Sequence, residues 1–366
     1  MAIRRVSLGL ELLPGEGPGG DHYLGELSQV LPQLPERASL CYLDPPFSTG
    51  KEFGAYSDRW EGMQAYLAFL HESLELAARA LKEDGNLFLH VDHRAGAYAR
   101  LHLDQILGEA CFRNEIIWAY NSGGRSKRHF SRKHDTILYY ALSKDSHFDP
   151  MAVALPRTEH RHNHMRRQVD EQGRAYRSIR SGGREYRYYD DDPVPPSDVW
   201  TDIAHLQQKD PERCGYPTQK PLKLLRRIVR CASKPDELVL DGFAGSGTSY
   251  LAASLEGRRF VGCDNGYEAL CAVRGRLLGR SARLHVEHAP VLPEGYLPAM
   301  TVGAEGFCVE NARFFSLGRW SDGAYVHLRW PDRGKRAIPE RLDEGFDQET
   351  NAVFCQTPEG QGVFLL

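Results

Sequence analysis

Short apolar runs alternate with longer amphipathic segments through most of the first 265 residues. Apolar runs that end in an acidic residue, such as those ending at Asp44 and Asp241, are typical of buried strands. The stretches between them repeat apolar residues at helical spacing. This alternation predicts an α/β fold with a mostly parallel, doubly wound sheet, to which the last two strands of the first half add an antiparallel edge. Strands are expected at 38–44, 86–92, 114–121, 135–143, 237–241 and 258–264, and helices at about 60–82, 97–109, 219–232 and 246–257.

The composition is that of an ordinary globular protein. The chain has 366 residues, 41% of them hydrophobic, which is enough for one large domain and a smaller one. Its eight cysteines form no Cys-x-x-Cys pair. It shows neither a signal segment nor a run of about 18 apolar residues. We therefore expect reduced thiols, no zinc, no membrane span and a cytoplasmic location.

The sequence Asp44-Pro45-Pro46-Phe47 follows the first of these predicted strands, at the sheet edge where α/β proteins bind ligands. The prolines restrict their own φ angles and the residue before each, so the Asp44 carboxylate and the Pro45 carbonyl hold a preset direction. Two such acceptors can grip the N–H groups of an aromatic amine and localise the nitrogen lone pair, while Phe47 stacks on the ring. The alternative is an ordinary turn after a strand.

A glycine-rich turn from Asp241 to Thr248 joins a second buried strand to a helix and lets the backbone approach a ligand closely. The strand after that helix ends at Asp264, where nucleotide-binding sheets place an acid on ribose hydroxyls. The turn alone is equally compatible with a nicotinamide or flavin cofactor. Its spacing, however, is not the dinucleotide fingerprint, and it lacks the Gly-Lys-Ser/Thr ending of a phosphate-gripping loop.

With both motifs considered, the chain from about Gly20 to Asn265 resembles the DNA amino-methyltransferases that use S-adenosylmethionine, in the permuted group whose catalytic motif precedes the cofactor motif. It departs from the usual pattern of that family at Gly242, Ala244 and Ser249, where proline, cysteine and a second threonine are more common. The other matching segments are Gly20-Asp21, Ser48 to Lys51, Leu81 to Asp92, Glu115 to Trp118, Lys133 to Asp135, Val199 to Ile203 and Gly215 to Pro221.

The resemblance implies a Rossmann-like methyltransferase sheet, S-adenosylmethionine as the cofactor and a base flipped out of double-stranded DNA as the acceptor. The base donates its amino hydrogens to Asp44 and Pro45, and its nitrogen attacks the methyl group in line. Pro46 and Phe47 complete the catalytic set, and the reaction needs no metal. The residues expected to bind the cofactor are Asp21 near its adenine, Asp264 at the ribose, and Thr218, Lys220, Asp241, Phe243, Gly245, Ser246, Gly247 and Thr248 around the methionine end.

A basic stretch from Gly124 to Arg187 is the expected DNA-binding face. It contains 15 Lys and Arg against 7 Asp and Glu, a balance of +8, so the remainder carries −11 of the net charge of −3. Interleaved tyrosines favour a nucleic-acid surface, and the alternative is a solvated loop. The acidic run 190–192 is expected to mark a boundary. The DNA-binding candidates are Arg125, Lys127, Arg128, Arg132, Lys133, Arg166, Arg167, Arg180 and Arg184.

Two further features have weaker interpretations. His160, His162 and His164 alternate as metal ligands on a strand would, but no cysteine or paired carboxylate completes the set, and a DNA-facing loop is the better expectation. Lys51 and Phe53 either close over the base or belong to a plain loop.

The chemistry permits either adenine N6 or cytosine N4 as the acceptor, and Asp44 favours adenine because Asp at this position is commoner among the adenine enzymes of the family. The alternatives are an RNA or protein-glutamine methyltransferase and a non-catalytic DNA-binding protein on the same fold. The expected role is a site-specific bacterial restriction-modification enzyme associated with the nucleoid, with a homodimer and a cognate restriction endonuclease as candidate partners. The expected regions are a catalytic half (1–145), a target-recognition insertion (146–198), a cofactor-binding half (199–284) and a small β-rich C-terminal region (285–366).

Overall fold

The fold is built on a ten-stranded sheet. The computed structural model of the protein describes residues 10–13, 15–31, 34, 36–51, 58–121, 125–156 and 165–285, and seven short strand segments between 300 and 363. The strands up to residue 285 are β1 (Leu10–Leu13), β2 (Gly15–Glu16), β3 (Gly20–Leu24), β4 (Ala38–Leu43), β5 (Leu81–Val91), β6 (Phe112–Ala119), β7 (His134–Ala141), β8 (Arg167–Val169), β9 (Ala175–Ser181), β10 (Arg184–Tyr189), β11 (Val199–Trp200), β12 (Leu238–Asp241), β13 (Arg259–Asp264), β14 (Gly279–Arg280) and β15 (Ala282–His285).

The strand order in this sheet is β1-β15-β3-β13-β12-β4-β5-β7-β6-β11. The run from β15 to β5 is parallel throughout. β7 lies between β5 and β6 and is antiparallel to both. The predicted mostly parallel sheet is therefore confirmed. The predicted antiparallel edge is confirmed in part, because β7 alone runs against its neighbours, β6 is parallel to β5, and β11 rather than β6 is the outermost strand on that side.

Helices cover both faces of the sheet, because each central strand is apolar on both sides. Leu40 and Tyr42 of β4 belong to one buried cluster, which includes residues of the helices at 222–232 and 248–255. Cys41 and Leu43 belong to a second cluster, which includes residues of the helices at 63–80 and 96–107. The helices are α1 (Leu27–Val30), α2 (Met63–Ala80), α3 (Gly96–Leu107), α4 (Leu222–Ala232), α5 (Thr248–Leu255) and α6 (Tyr267–Arg276), with 3₁₀ turns at Glu109–Cys111 and Pro150–Val153.

One strand boundary differs clearly from the prediction. β5 begins at Leu81 rather than near residue 86, because Leu81 pairs with Ala38 directly after α2 ends. A register shift between Ala38 and Leu40 then absorbs the polar residues that the sequence suggested as a loop.

The carboxyl ends of β3, β13, β12 and β4 meet at one edge of the sheet. The chain leaves β4 through α2 on one face to reach β5, and leaves β12 through α5 on the other face to reach β13. β4 and β12 are neighbours, so the direction of winding reverses between them. This reversal opens the crevice in which doubly wound proteins bind ligands.

Smaller elements lie outside this sheet. The basic insertion contains a three-stranded antiparallel sheet in the order β10-β9-β8. β2 pairs with β14. The seven segments after residue 300 form one three-stranded sheet and two two-stranded hairpins. None of the helices in the described part of the chain is long and apolar enough to cross a membrane.

Candidate active site and nucleic-acid interface

The Asp44 carboxylate has two different environments at its two oxygens. Oδ2 is paired with the ammonium group of Lys220, which follows the Thr218-Gln219 segment. Oδ1 is buried and accepts no hydrogen bond from any described residue. A buried carboxylate oxygen without a donor is unfavourable, and it is the acceptor that an incoming N–H group requires.

Asp58 holds the loop that carries this motif. Its buried carboxylate accepts hydrogen bonds through Oδ1 from the Ser48 amide at 2.9 Å and through Oδ2 from the Thr49 amide at 2.8 Å. The Thr49 hydroxyl donates to Oδ2 at 2.6 Å, and the indole Nε1 of Trp60 donates to Oδ1 at 3.2 Å. Ser48 has a positive φ of 56°, a conformation that a side chain other than glycine adopts only when its surroundings impose it. Asp58 therefore fixes the backbone immediately after Phe47.

The glycine-rich turn wraps its amides around carboxylates. The Gly245 amide donates to Asp264 Oδ2 at 2.8 Å, and the Gly266 amide donates to Asp264 Oδ1 at 2.8 Å. Gly245 has a φ of +49°, and a Cβ there would lie 3.1 Å from the Tyr216 ring. Gly247, with a φ of +69°, is the N-cap residue directly before α5, and a Cβ there would lie 2.9 Å from the Val273 side chain. Glycine is required at both positions by conformation and by close packing.

Asp241 lies at the base of this turn and is fully buried. Its carboxylate accepts from the Phe243 amide at 2.9 Å and from the Ser249 hydroxyl. Burial, with a smaller contribution from the nearby charges of Asp44 and Asp264, raises the pKa of Asp241 to about 7 in spite of these donors. Burial likewise raises the pKa of Asp264. These carboxylates disfavour one another's ionisation, and a cation between them would relieve that repulsion.

The turn forms one wall of a cavity of about 660 Å³ at the carboxyl edge of the sheet. Its lining is rich in carboxylates, with Lys220 as its basic residue. Eight of the ten predicted cofactor residues line it. They are Thr218, Lys220, Asp241, Phe243, Gly245, Ser246, Thr248 and Asp264. Gly247 belongs to the turn but does not line the cavity. Pro46 of the Asp44–Phe47 motif also lines this cavity.

Asp21 does not line this cavity, contrary to the sequence-based expectation. It is the second residue of β3, paired in register with Val261, and is buried within the sheet. β3 continues to Leu24, so its carboxyl end is occupied instead by Gly25 and Glu26, which do line the cavity. The Gly25 amide donates to the Asp264 carbonyl at 3.0 Å and joins the two strand ends. The signal that marks Glu26 is its position directly after the apolar end of a strand.

A second cavity, of about 320 Å³, lies on the other side of Asp44. Asp44, Thr218 and Lys220 line both cavities and form their common wall. Pro45 and Phe47 face only the second one. Its remaining lining includes the aromatic residues Trp118 and Tyr120 together with Asp135, His205, Arg213, Gln219 and the prolines of the Pro217–Pro221 segment.

A buried chain of polar groups supports the second cavity. The Tyr42 hydroxyl lies 2.9 Å from His90 Nδ1, and His90 Nε2 lies 3.2 Å from Asp135 Oδ2. Tyr120 donates to Asp135 Oδ1 at 3.0 Å. Burial opposes ionisation of Asp135, but the hydrogen bonds from His90 and Tyr120 and the charge of Lys220 hold its pKa below the ordinary value. The His90 ring stacks on Phe47 with centroids 6.0 Å apart, which fixes the orientation of the Phe47 ring.

The Val199–Ile203 segment has a structural role in this site. The Trp118 indole donates to the Ile203 carbonyl at 2.8 Å, and Asp202 forms a bidentate ion pair with the buried Arg227 of α4. The segment is thereby attached to both β6 and α4, and it brings His205 to the second cavity.

The basic candidates fall into two groups. Five lie in the loop between β6 and β7: Arg125, Lys127, Arg128, Arg132 and Lys133. The other four lie at or near the three-stranded sheet, with Arg166 just before β8, Arg167 within it, Arg180 near the end of β9 and Arg184 at the start of β10. The tip between β9 and β10 is Gly182-Gly183, both with positive φ.

The acidic run 190–192 neutralises part of this basic surface. Asp190 pairs with Arg167 at 2.8 Å and with Arg177 at 2.6 Å. Arg174 pairs with the two acids that follow, at 2.8 and 3.0 Å. The run does follow β10, but the antiparallel register also brings its carboxylates to the arginines of the neighbouring strands. Within the described part of the chain, Arg180 and Arg184 form no ion pair.

The remaining candidates have simpler outcomes. Lys51 is exposed and lines neither cavity. Phe53 and the histidines at 160, 162 and 164 lie outside the described residues.

Known proteins resemble this chain over most of its length. A family model described as DNA methylase, N6_N4_Mtase, matches residues 38–273. Type II methyltransferase M.HpaI of Haemophilus parainfluenzae is 29% identical over 251 residues, which are 68% of this chain and 71% of the relative. DNA adenine methyltransferase YhdJ of Escherichia coli (strain K12) is 28% identical over 243 residues, 66% of this chain and 76% of the relative.

Among solved structures, the PvuII DNA methyltransferase (cytosine-N4-specific) superposes with a TM-score of 0.50 at 17% identity. The match covers 73% of this chain and 90% of that one. At this identity the likeness concerns the fold, and it agrees with the doubly wound sheet described above.

Proposed function

Because the chain belongs to the DNA methylases of the N6_N4_Mtase family, we propose that it transfers a methyl group from S-adenosylmethionine to the exocyclic amino nitrogen of a base flipped out of double-stranded DNA. The observation that carries this proposal is the meeting of two cavities at Asp44. One cavity is acidic and lies at the glycine-rich turn, and the other is aromatic. Asp44 lines both cavities, and its Oδ1 atom accepts no hydrogen bond from a described residue.

The chemistry of the first cavity fits this cofactor. S-adenosylmethionine carries a sulfonium and an ammonium charge, and the lining offers the carboxylates of Glu26, Asp241 and Asp264. We assign the ribose to Asp264 and the methionine end to the turn and to Thr218, and we place the adenine near Glu26 rather than Asp21. When bound, the cofactor supplies an activated methyl group.

The second cavity is the proposed site of the flipped base. Asp44 Oδ1 and the Pro45 carbonyl accept the two amino hydrogens, which localises the nitrogen lone pair. The Phe47 ring, held by His90, stacks on the base. The amine becomes strongly acidic once it is methylated, so its proton can leave without a dedicated strong base. Positioning of the nitrogen therefore contributes most of what the protein supplies.

The basic loop between β6 and β7 and the small β8–β10 sheet are the proposed DNA-contacting elements. Their Lys and Arg side chains neutralise phosphates or read base edges. We propose adenine as the acceptor base, since Asp44 occupies the first motif position, and a type II modification role in which methylation protects host DNA from a cognate restriction endonuclease. The same proposal locates the protein on the nucleoid and retains the four sequence regions named above. A homodimer is compatible with it, and sedimentation of the purified protein tests that point.

The experiment that tests this function is incubation with tritiated S-adenosylmethionine and mixed genomic DNA, followed by nucleoside analysis of the hydrolysed product. Label in N6-methyladenine is expected. Label in N4-methylcytosine would retain the enzyme class and correct the base. No label in DNA while the cofactor still binds would overturn the proposal and direct the assay to RNA, to protein glutamine or to a binding role.

A further inference from the structure

A short basic loop lies at the rim of the second cavity. It occupies residues 125–133, between β6 and β7. Tyr120, directly after β6, and Asp135, the second residue of β7, flank this loop; both line the cavity and are hydrogen-bonded to each other. The Tyr120 amide also donates to the Lys133 carbonyl at 2.9 Å and closes the base of the loop.

The loop presents Phe130 to solvent. This side chain is 98% exposed, far more than the other exposed large apolar side chains of the described residues. An isolated apolar side chain on a surface needs no explanation by itself. Phe130 differs because it lies among cationic residues in a loop whose flanking residues, Tyr120 and Asp135, line the proposed base site. The cations near it that form no ion pair with a described carboxylate are Arg125, Lys127, Arg128 and Arg132.

Internal hydrogen bonds keep this loop in shape. The Ser126 hydroxyl accepts from the Arg128 amide at 3.2 Å and from the His129 amide at 3.3 Å. The Ser126 amide donates to the Ser131 hydroxyl at 3.2 Å. These hydrogen bonds join residues on both sides of Phe130. The backbone that carries the ring is therefore already ordered, and binding costs little further conformational entropy there.

We propose that Phe130 is the residue that enters the DNA stack at the position vacated by the flipped base, while the neighbouring cations hold the flanking phosphates. This inference rests on the proposed function, because only an enzyme that extracts a base leaves such a gap. Removing a base from the duplex loses its stacking and pairing, and an apolar ring inserted in its place recovers part of the stacking. This role requires the ring to reach the mouth of the base site, and the loop that carries it is anchored at that site through Tyr120 and Asp135.

The test compares two duplex oligonucleotides that contain the methylated sequence, once sequencing of methylated genomic DNA has located it. In one the target base is fully paired, and in the other it lies opposite an abasic site and is already unpaired. Variants Phe130→Ala and Phe130→Trp are compared with wild type and with Leu101→Ala, which shortens an equally apolar, exposed side chain on α3. Circular dichroism and cofactor affinity verify that each variant is folded.

We expect Phe130→Ala to lower kcat/KM on the fully paired duplex at least about tenfold while changing it less than about threefold on the abasic duplex. Phe130→Trp should retain most of the wild-type rate, and Leu101→Ala should match wild type on both substrates. An unchanged rate on the paired duplex, or an equal loss on both duplexes, would overturn the inference. Failure of the wild-type enzyme to methylate either duplex would instead be a failure of the proposed function.

Discussion

Replacing Asp58 by Asn tests whether the catalytic loop is held in place from outside the motif. The side chain keeps its size, but one oxygen becomes an NH₂ group. If the NH₂ group replaces Oδ1, it faces the Ser48 amide and the Trp60 indole, neither of which can accept a hydrogen bond. If it replaces Oδ2, it faces the Thr49 amide and the Thr49 hydroxyl, and only the hydroxyl can turn to accept.

The second orientation is therefore the less costly one, and it loses at least the hydrogen bond from the Thr49 amide. A hydrogen bond to a charged acceptor contributes about 1.5–3 kcal/mol, and the donor left behind is partly buried. If this free energy is lost from the active loop conformation, turnover should fall by roughly tenfold to a hundredfold. The first cavity lies mainly on other elements, so cofactor affinity should change little.

The assay is single-turnover methylation with tritiated S-adenosylmethionine, combined with calorimetric measurement of cofactor affinity. Asp145→Asn is the matched control, because Asp145 is exposed and lines neither cavity. A turnover rate for Asp58→Asn within about twofold of wild type, in a folded protein, would refute the reasoning. An equal loss of cofactor affinity would refute it as well, since it would mean that Asp58 supports the whole site.

Three other predictions concern charge. Asp44→Ala should lower turnover by at least ~10²–10³-fold with cofactor affinity largely intact, and a matching loss of affinity would contradict the assigned roles. Because burial raises the pKa of Asp241 to about 7 and the cofactor is cationic, cofactor affinity should rise about tenfold between about pH 6 and about pH 8 in calorimetry. Asp241→Asn should remove that rise. In the cofactor-free wild type, neutral Asp241 stabilises the fold at low pH, and this contribution to the free energy of unfolding should be lost as the pH rises through about 7. Replacing Arg180 and Arg184 by Ala should each lower the slope of log affinity for DNA against log salt by about 0.9, whereas Arg174→Ala, which removes a paired cation, should change it less.

Much of the site could be predicted because its residues occupy positions that local sequence rules define. Asp44 follows an apolar run, and the turn after Asp241 has the glycines that close packing requires. Strand ends of a parallel sheet meet at one edge, so both motifs had to converge. The prediction failed for Asp21 because the end of β3 is marked only weakly in the sequence, and a shift of five residues moves a side chain from the cavity to the middle of the sheet.

Other features depend on contacts that no local pattern reports. Asp58 reaches the catalytic loop only because the chain folds back after residues that carry no motif. The pairing of Asp190 with Arg167 and Arg177 is set by the register of the β8–β10 sheet. In the sequence Asp190 lies just after the basic stretch, so a count of charges along the chain does not reveal that it neutralises arginines within it. The predicted β-rich C-terminal region lies mostly outside the described residues.

The common wall of the two cavities has a thermodynamic consequence. Asp44, Thr218 and Lys220 contact both spaces, so a ligand that moves them for its own binding also changes the site of the other ligand. Cofactor and DNA are therefore linked, and the factor by which one alters the affinity for the other must be reciprocal. The demethylated product lacks the sulfonium charge, so its linkage to DNA differs from that of the cofactor. The binding free energies of the two products are then coupled through these three side chains.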